Sequence, residues 1–119
     1  MIYLASPYTS VNPEEVELRY NQALECFATL CRMGEIVYSP IVHCHPATQR
    51  YALPQEYAYW AKLDFAFLTR CDTLYVLCLP GWSHSRGVQA EIKLAEQHCL
   101  PVRYITIDGT NLDVDDLPA

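Results

Sequence analysis

Glycine is scarce in this chain, with 4 in 119 residues, and none falls in a phosphate-binding pattern. Gly81 and Gly87 do not make GxGxxG, and no GxxxxGK[ST] occurs, so dinucleotide and nucleoside-triphosphate chemistry of those kinds is disfavoured. A GxSxG elbow is also missing, which weakens a Ser-His-Asp hydrolase. Basic residues are few. Lys and Arg total 8 against 14 Asp and Glu, a net charge of −6, and they cluster nowhere. A nucleic-acid polymer would need a basic stripe, and an anionic membrane surface a basic patch, so neither is an expected partner. No long apolar run is present, and the opening IYLAS has no basic leader, which argues against a transmembrane helix or a secretory signal. None of the six cysteines forms a CxxC pair. Cys26, Cys31, Cys71, Cys78 and Cys99 lie in apolar stretches, so reduced core thiols and a cytoplasmic location are expected.

What the chain does have is core-forming material: 51% hydrophobic residues, of which aromatics make up 12% of the chain. That suits a single domain spanning 1–119. Ile2 to Ala5 reads as a buried strand ending at Ser6-Pro7. A helix follows, with Asn12 as N-cap, Pro13 in the first position and Gly34 as the stop. Its apolar positions are Val16, Tyr20, Ala23, Leu24, Phe27, Leu30 and Cys31. EIVYSP is a second strand. IVHCHPATQRYALP, with two prolines and two histidines, reads as an irregular and functional loop. A helix from about Gln55 to Arg70 presents Tyr59, Trp60, Leu63, Phe67 and Leu68. TLYVLCL is a strand buried on both faces, SHSRGVQAEIKLAEQHC opens a helix, and VRYITI is the last strand. The tail from Gly109, with Asp113, Asp115 and Asp116, reads as surface or a partner contact.

Strands alternating with helices predict an α/β fold, a flavodoxin-like or Rossmann-like three-layer sandwich on a four- or five-stranded parallel sheet. Ligands of such sheets bind beyond the carboxyl ends of the strands. Three stretches converge there: Ser6-Pro7-Tyr8, Ser39 to His45, and Pro80 to Gly87.

Within those stretches, His43-Cys44-His45 invites a zinc reading but lacks a second paired element at metal spacing. Loop histidines that contact a substrate, or that merely cap backbone groups, are the stronger readings, and no metal or organic cofactor is expected. Arg19, Arg32, Lys62 and Arg70 look like solvated helix positions. Asp64 interrupts the apolar WAKLDFAFL, and a carboxylate so placed is either paired or functional. Tyr3 inside an apolar strand needs a hydrogen-bond partner for its hydroxyl. Glu91 follows the helix start at Ser85 to Val88, whose free N–H groups could hold a ligand oxygen. Gly87 would let backbone approach that ligand. The helix dipole would favour an ionised carboxylate, whether Glu91 is a nucleophile or only a dipole partner.

Four segments, IYLASPY, LDFAFLTRCDTLYVL, SRGVQAEIKLA and PVRYI, together resemble the nucleoside 2-deoxyribosyltransferase superfamily. That superfamily includes 2′-deoxynucleoside 5′-phosphate N-glycosidases, and the likeness is nearest to its small bacterial and phage members. The resemblance implies Glu91 as nucleophile, Asp64 near the leaving base, and Tyr3 supporting Glu91. Ser6, Tyr8, His43, Ser85 and Gly87 would contact the substrate. The implied activity is cleavage or transfer of the N-glycosidic bond of a nucleoside or nucleotide by a retaining mechanism. Relatives that accept a phosphate carry an arginine in the first loop; Ser6-Pro7-Tyr8-Thr9 has none, and His43 or His45 could replace that charge. Relatives also commonly complete their sites across subunits, so a homo-oligomer is expected, with Tyr51 to Trp60 and the acidic tail as candidate interfaces. Two alternatives stand beside this reading: a non-catalytic nucleotide- or protein-binding module, and a metal-dependent hydrolase using His43 and His45.

Overall fold

The structure, a computed structural model, describes residues 1–108 and 111–114. Its elements run β1 (Ile2–Ala5), α1 (Pro13–Arg32), β2 (Val37–Tyr38), α2 (Pro40–Tyr51), α3 (Tyr57–Leu68) and β3 (Thr73–Leu77). A 3-10 turn (Trp82–His84), α4 (Arg86–Gln97), β4 (Val102–Asp108) and β5 (Asn111–Val114) complete them. The five strands form one sheet in the order β2-β1-β3-β4-β5. Pairing is parallel between β1 and β2, β1 and β3, and β3 and β4, in the manner of a flavodoxin-like sandwich. β5 departs from the expected all-parallel sheet, running antiparallel to β4 with Asp108 opposite Asn111. The tail read as surface therefore supplies an edge strand; Asp113 in it is exposed, and Asp115 and Asp116 lie outside the described residues.

Every residue of β1 is buried, as two-sided coverage demands of a central strand. Alternation sends Tyr3 and Ala5, with Leu74 and Val76 of β3, toward Leu68 of α3 and Val88, Ile92 and Ala95 of α4. Leu4 and Leu77 point the other way, to Cys26 and Leu30 of α1 and Ile105 of β4. The sheet is thus the middle of three layers.

α1 starts as expected, with the Asn12 side chain accepting from the Glu14 N–H at 3.0 Å and Pro13 in the first turn. Its buried stripe is Val16, Ala23, Cys26, Thr29 and Leu30, whereas Leu24 and Cys31 face outward. Cys99 is exposed as well, so two of the six thiols are not core residues.

The stretch expected to be irregular is a helix. Ser39 Oγ accepts from the Val42 N–H at 3.2 Å and caps α2, and Pro40 at its first position has no N–H to leave unpaired. Pro46 inside the helix removes one backbone bond and costs stability locally without ending it. Thr48 Oγ1 bonds back to the Cys44 carbonyl at 3.0 Å, and Ala52, in the left-handed region at φ 53°, closes the helix. α3 is also less apolar-faced than expected: only Asp64 and Leu68 are buried, and Tyr59 is exposed. Among the described residues no helix is long and apolar enough to cross a membrane.

Leu74 is fully buried between β1 and β4 on the α3/α4 side of the sheet. Leu74→Ala should lower unfolding free energy by about 2–5 kcal/mol in urea titration. A loss below about 1 kcal/mol would contradict its place in a close-packed core.

Candidate functional site

The same alternation that fills the core carries Tyr3 to the underside of α4. Glu91 lies on the inner face of that helix, in the seam made by Val88, Ile92 and Ala95. Tyr3 is fully buried and its hydroxyl donates to Glu91 Oε2, so the expected pairing is present. Asp64 occupies the corresponding inner position of α3, one turn before buried Leu68. Two carboxyls thus project from neighbouring helices into one space, each 5% exposed or less.

Burial sets their acidity. Desolvation pushes Asp64 up to about 7, and one of its oxygens, Oδ1, has no protein hydrogen-bond partner. Desolvation pushes Glu91 up to about 8; the Tyr3 bond works against this rise and the charge of Asp64 adds to it. The expectation that the helix dipole keeps Glu91 ionised therefore fails. Glu91 is the sixth residue of α4, and the dipole contributes at most about 2 kcal/mol and fades within the first turn.

Both carboxyls open on a cavity of about 520 Å³ beyond the carboxyl ends of β1 and β3. Ser6, Tyr8, Ser85 and Gly87, the residues expected to contact a substrate, line it. The Ser6 hydroxyl and the Tyr57 hydroxyl are buried there without a protein partner, like Asp64 Oδ1. A ligand entering would meet three polar atoms ready to bond. Ser85 has a second role as N-cap of α4, its Oγ accepting from the Val88 N–H at 3.3 Å.

Gly87 also serves the packing of α3 over α4. A Cβ there would lie 2.9 Å from Cδ1 of Tyr57, so the missing side chain lets the Tyr57 ring close over the start of α4. His43 is misplaced by the sequence reading. On a helix, residues two apart point to nearly opposite sides, and His43 faces outward beside Tyr38 and Phe67 while buried His45 faces the cavity. This separation also defeats the paired zinc reading. No group of three His, Cys, Asp or Glu that could hold a metal occurs among the described residues. Cys44 lines the cavity, but burial pushes its thiol up to about 11, unsuited to a nucleophile.

The basic side chains that the first loop lacks come from elsewhere. Arg19, read from sequence as solvated, reaches from α1 to the cavity and donates to the Thr9 carbonyl at 2.9 Å and the Pro80 carbonyl at 3.3 Å. It ties the loop after β1 to the loop after β3, and the missing side chain of Gly81 leaves it room. Arg86 and His84 also line the cavity. Sequence spacing gave no sign of Tyr57, whose importance depends on how α3 packs over α4.

An α/β sandwich with a walled cavity at the strand ends and two buried carboxyls facing it is the class of molecule the fold defines. The chain belongs to the DUF1937 family, described as a domain of unknown function, whose pattern matches residues 1–106. No curated protein matches it.

The raised carboxyls carry a stability consequence. Asp64 and Glu91 hold protons in the folded state at pH values where the unfolded chain, with ordinary values of 3.8 and 4.5, has released them. Stability is therefore greatest below those values and falls as pH rises through about 7 and 8. Thermal unfolding should show Tm dropping from pH 5 to pH 9, and Asp64→Asn should flatten that slope and exceed the wild type at pH 9. A wild-type Tm that rises over this range would contradict the assignment.

Proposed function

We propose that the chain cleaves, or transfers across, the N-glycosidic bond of a nucleoside or nucleotide by a retaining double displacement. The observation that carries this reading is the pair of buried carboxyls on one cavity, one held by Tyr3 and the other with a free oxygen. The sequence resemblance to nucleoside 2-deoxyribosyltransferases at these same positions supports it.

The two carboxyls share the work as the singly protonated pair. Tyr3 O–H donates to Glu91 and works against its rise, yet burial leaves Glu91 at about 8 and Asp64 at about 7, so the reactive arrangement, anion on Glu91 and proton on Asp64, is the less populated of the two singly protonated forms. Glu91 attacks C1′ of the sugar; the C1′–O bond forms as the C1′–N bond breaks. Asp64 gives its proton to the leaving base, which departs poorly as an anion. Asp64, now ionised, takes a proton from water as the water oxygen attacks C1′ and frees Glu91. A second base in place of water gives transfer. This chemistry calls for carboxyls roughly 5 Å apart, as in retaining glycoside hydrolysis.

Purified protein incubated with deoxynucleosides and their 5′-monophosphates should release free base from at least one member. Glu91→Gln should reduce that rate by about a thousandfold or more. Asp64→Asn should cost about 10²–10⁴-fold, least for bases that leave readily without protonation. Base release undiminished in Glu91→Gln would remove the glutamate from the chemistry.

The rate should also follow a bell in pH. The acid limb reflects protonation of the pair's one anion and the alkaline limb loss of its one proton, with the maximum between about 7 and 8. A rate flat from pH 5 to pH 9 would contradict the shared proton.

A second reading, a non-catalytic binding module, draws on the rise of the Glu91 carboxyl to about 8. A carboxyl that keeps its proton at neutral pH is a hydrogen-bond donor rather than a nucleophile. Saturable nucleoside binding without any release of base would favour it.

A further inference from the structure

The mechanism leaves unused a chain of polar groups beside the carboxyls, running from half-buried Tyr8 through buried His45 to exposed Glu17. His45, 4% exposed on α2, bonds through Nδ1 to the Tyr8 hydroxyl at 2.7 Å and through Nε2 to Glu17 Oε2 of α1 at 3.0 Å. Its ring stacks on Tyr20 with centroids 4.0 Å apart, which fixes its plane. Tyr8 and His45 both line the cavity.

Donor and acceptor rules couple the directions of the bonds in this chain. An ionised Glu17 only accepts, so His45 Nε2 carries the hydrogen. When the ring is neutral, Nδ1 then offers only a lone pair, and the Tyr8 O–H donates a hydrogen bond to it. The phenolic oxygen is left as an acceptor. Consistent with that, the Gln49 side chain beside it works against the rise burial imposes on the Tyr8 hydroxyl. Gln49 is exposed and its amide can be displaced.

We propose that Glu17 and His45 set the polarity of Tyr8, holding its oxygen as a hydrogen-bond acceptor that selects ligands presenting a hydroxyl or N–H at this wall of the cavity. Tyr8 is the specificity residue, and His45 and Glu17 act through it as positioning residues. The ligand class rests on the nucleoside reading above; the bond directions do not.

Two measurements test the two parts separately. In the ¹⁵N-labelled empty protein at pH 8.5, correlation spectra of the imidazoles should show His45 neutral with its hydrogen on Nε2. Replacing the exposed His43, His84 and His98 in turn assigns the remaining ring. Glu17→Gln, whose amide can donate, should shift His45 toward the Nδ1–H form. A wild-type ring that is charged, or that carries its hydrogen on Nδ1, overturns the proposal whether or not any nucleoside is cleaved.

For a nucleoside that the panel shows to be cleaved, Tyr8→Phe should raise KM by about 2- to 10-fold, as for one lost hydrogen bond, and leave kcat within about twofold. Glu17→Gln should raise KM in the wild type but not in Tyr8→Phe. An equal effect of Glu17→Gln in both backgrounds would mean that the chain only ties α1 to α2, and would overturn the selection role.

Discussion

Two carboxyls buried in an apolar seam are the constraint around which this molecule is organised. Removing an ionised carboxylate from water is costly, and proteins accept it where a partner or a raised pKa compensates. Here both devices operate. Tyr3 donates to Glu91 from the strand beneath it, and desolvation moves both groups into the range where one proton can be shared near neutral pH. The rest of the site follows from holding these groups in place. β1 must be central so that Tyr3 is covered on both faces, and α3 and α4 must pack side by side so that Asp64 and Glu91 share a cavity.

Small features elsewhere serve that arrangement. Gly87 lacks a side chain where the Tyr57 ring closes over α4, and Ser85 both caps that helix and lines the cavity. Arg19 uses its guanidinium to join the loops that follow β1 and β3, the two strands whose ends form the cavity rim. A charge spent on backbone carbonyls is a brace first; whatever field it adds to the cavity comes with that role. The consequence is a site whose walls come from five separate stretches of chain, none of which has a recognisable phosphate-binding pattern.

Much of the fold was legible in the sequence because its signals are local. Asn12-Pro13 starts α1, Gly34 stops it, and TLYVLCL has the continuous apolar run of a two-sided strand. Asp64 stood out as a carboxylate interrupting an apolar helix face, and Glu91 as one following a glycine-containing helix start, with the family resemblance giving both their roles. The pattern failed where tertiary context overrides local rules. Pro46 argued against a helix that Ser39 and Pro40 initiate and that packing against α1 sustains. Once that stretch is helical, His43 and His45 part company, and only His45 reaches the cavity. β5 was missed because an antiparallel edge strand needs little apolar sequence of its own, and Arg19 because a long side chain on a helix face gives no sign of which carbonyls it will meet.

The central claim is that Glu91 becomes covalently bonded to a sugar. It is tested most directly by intact-protein and peptide mass measurement after incubation with a nucleoside whose 2′-fluorine slows breakdown of a glycosyl-enzyme. The account predicts an added mass equal to the sugar without its base, on the peptide containing Glu91, absent in Glu91→Gln. Release of base with no adduct, or an adduct on another residue, would contradict it.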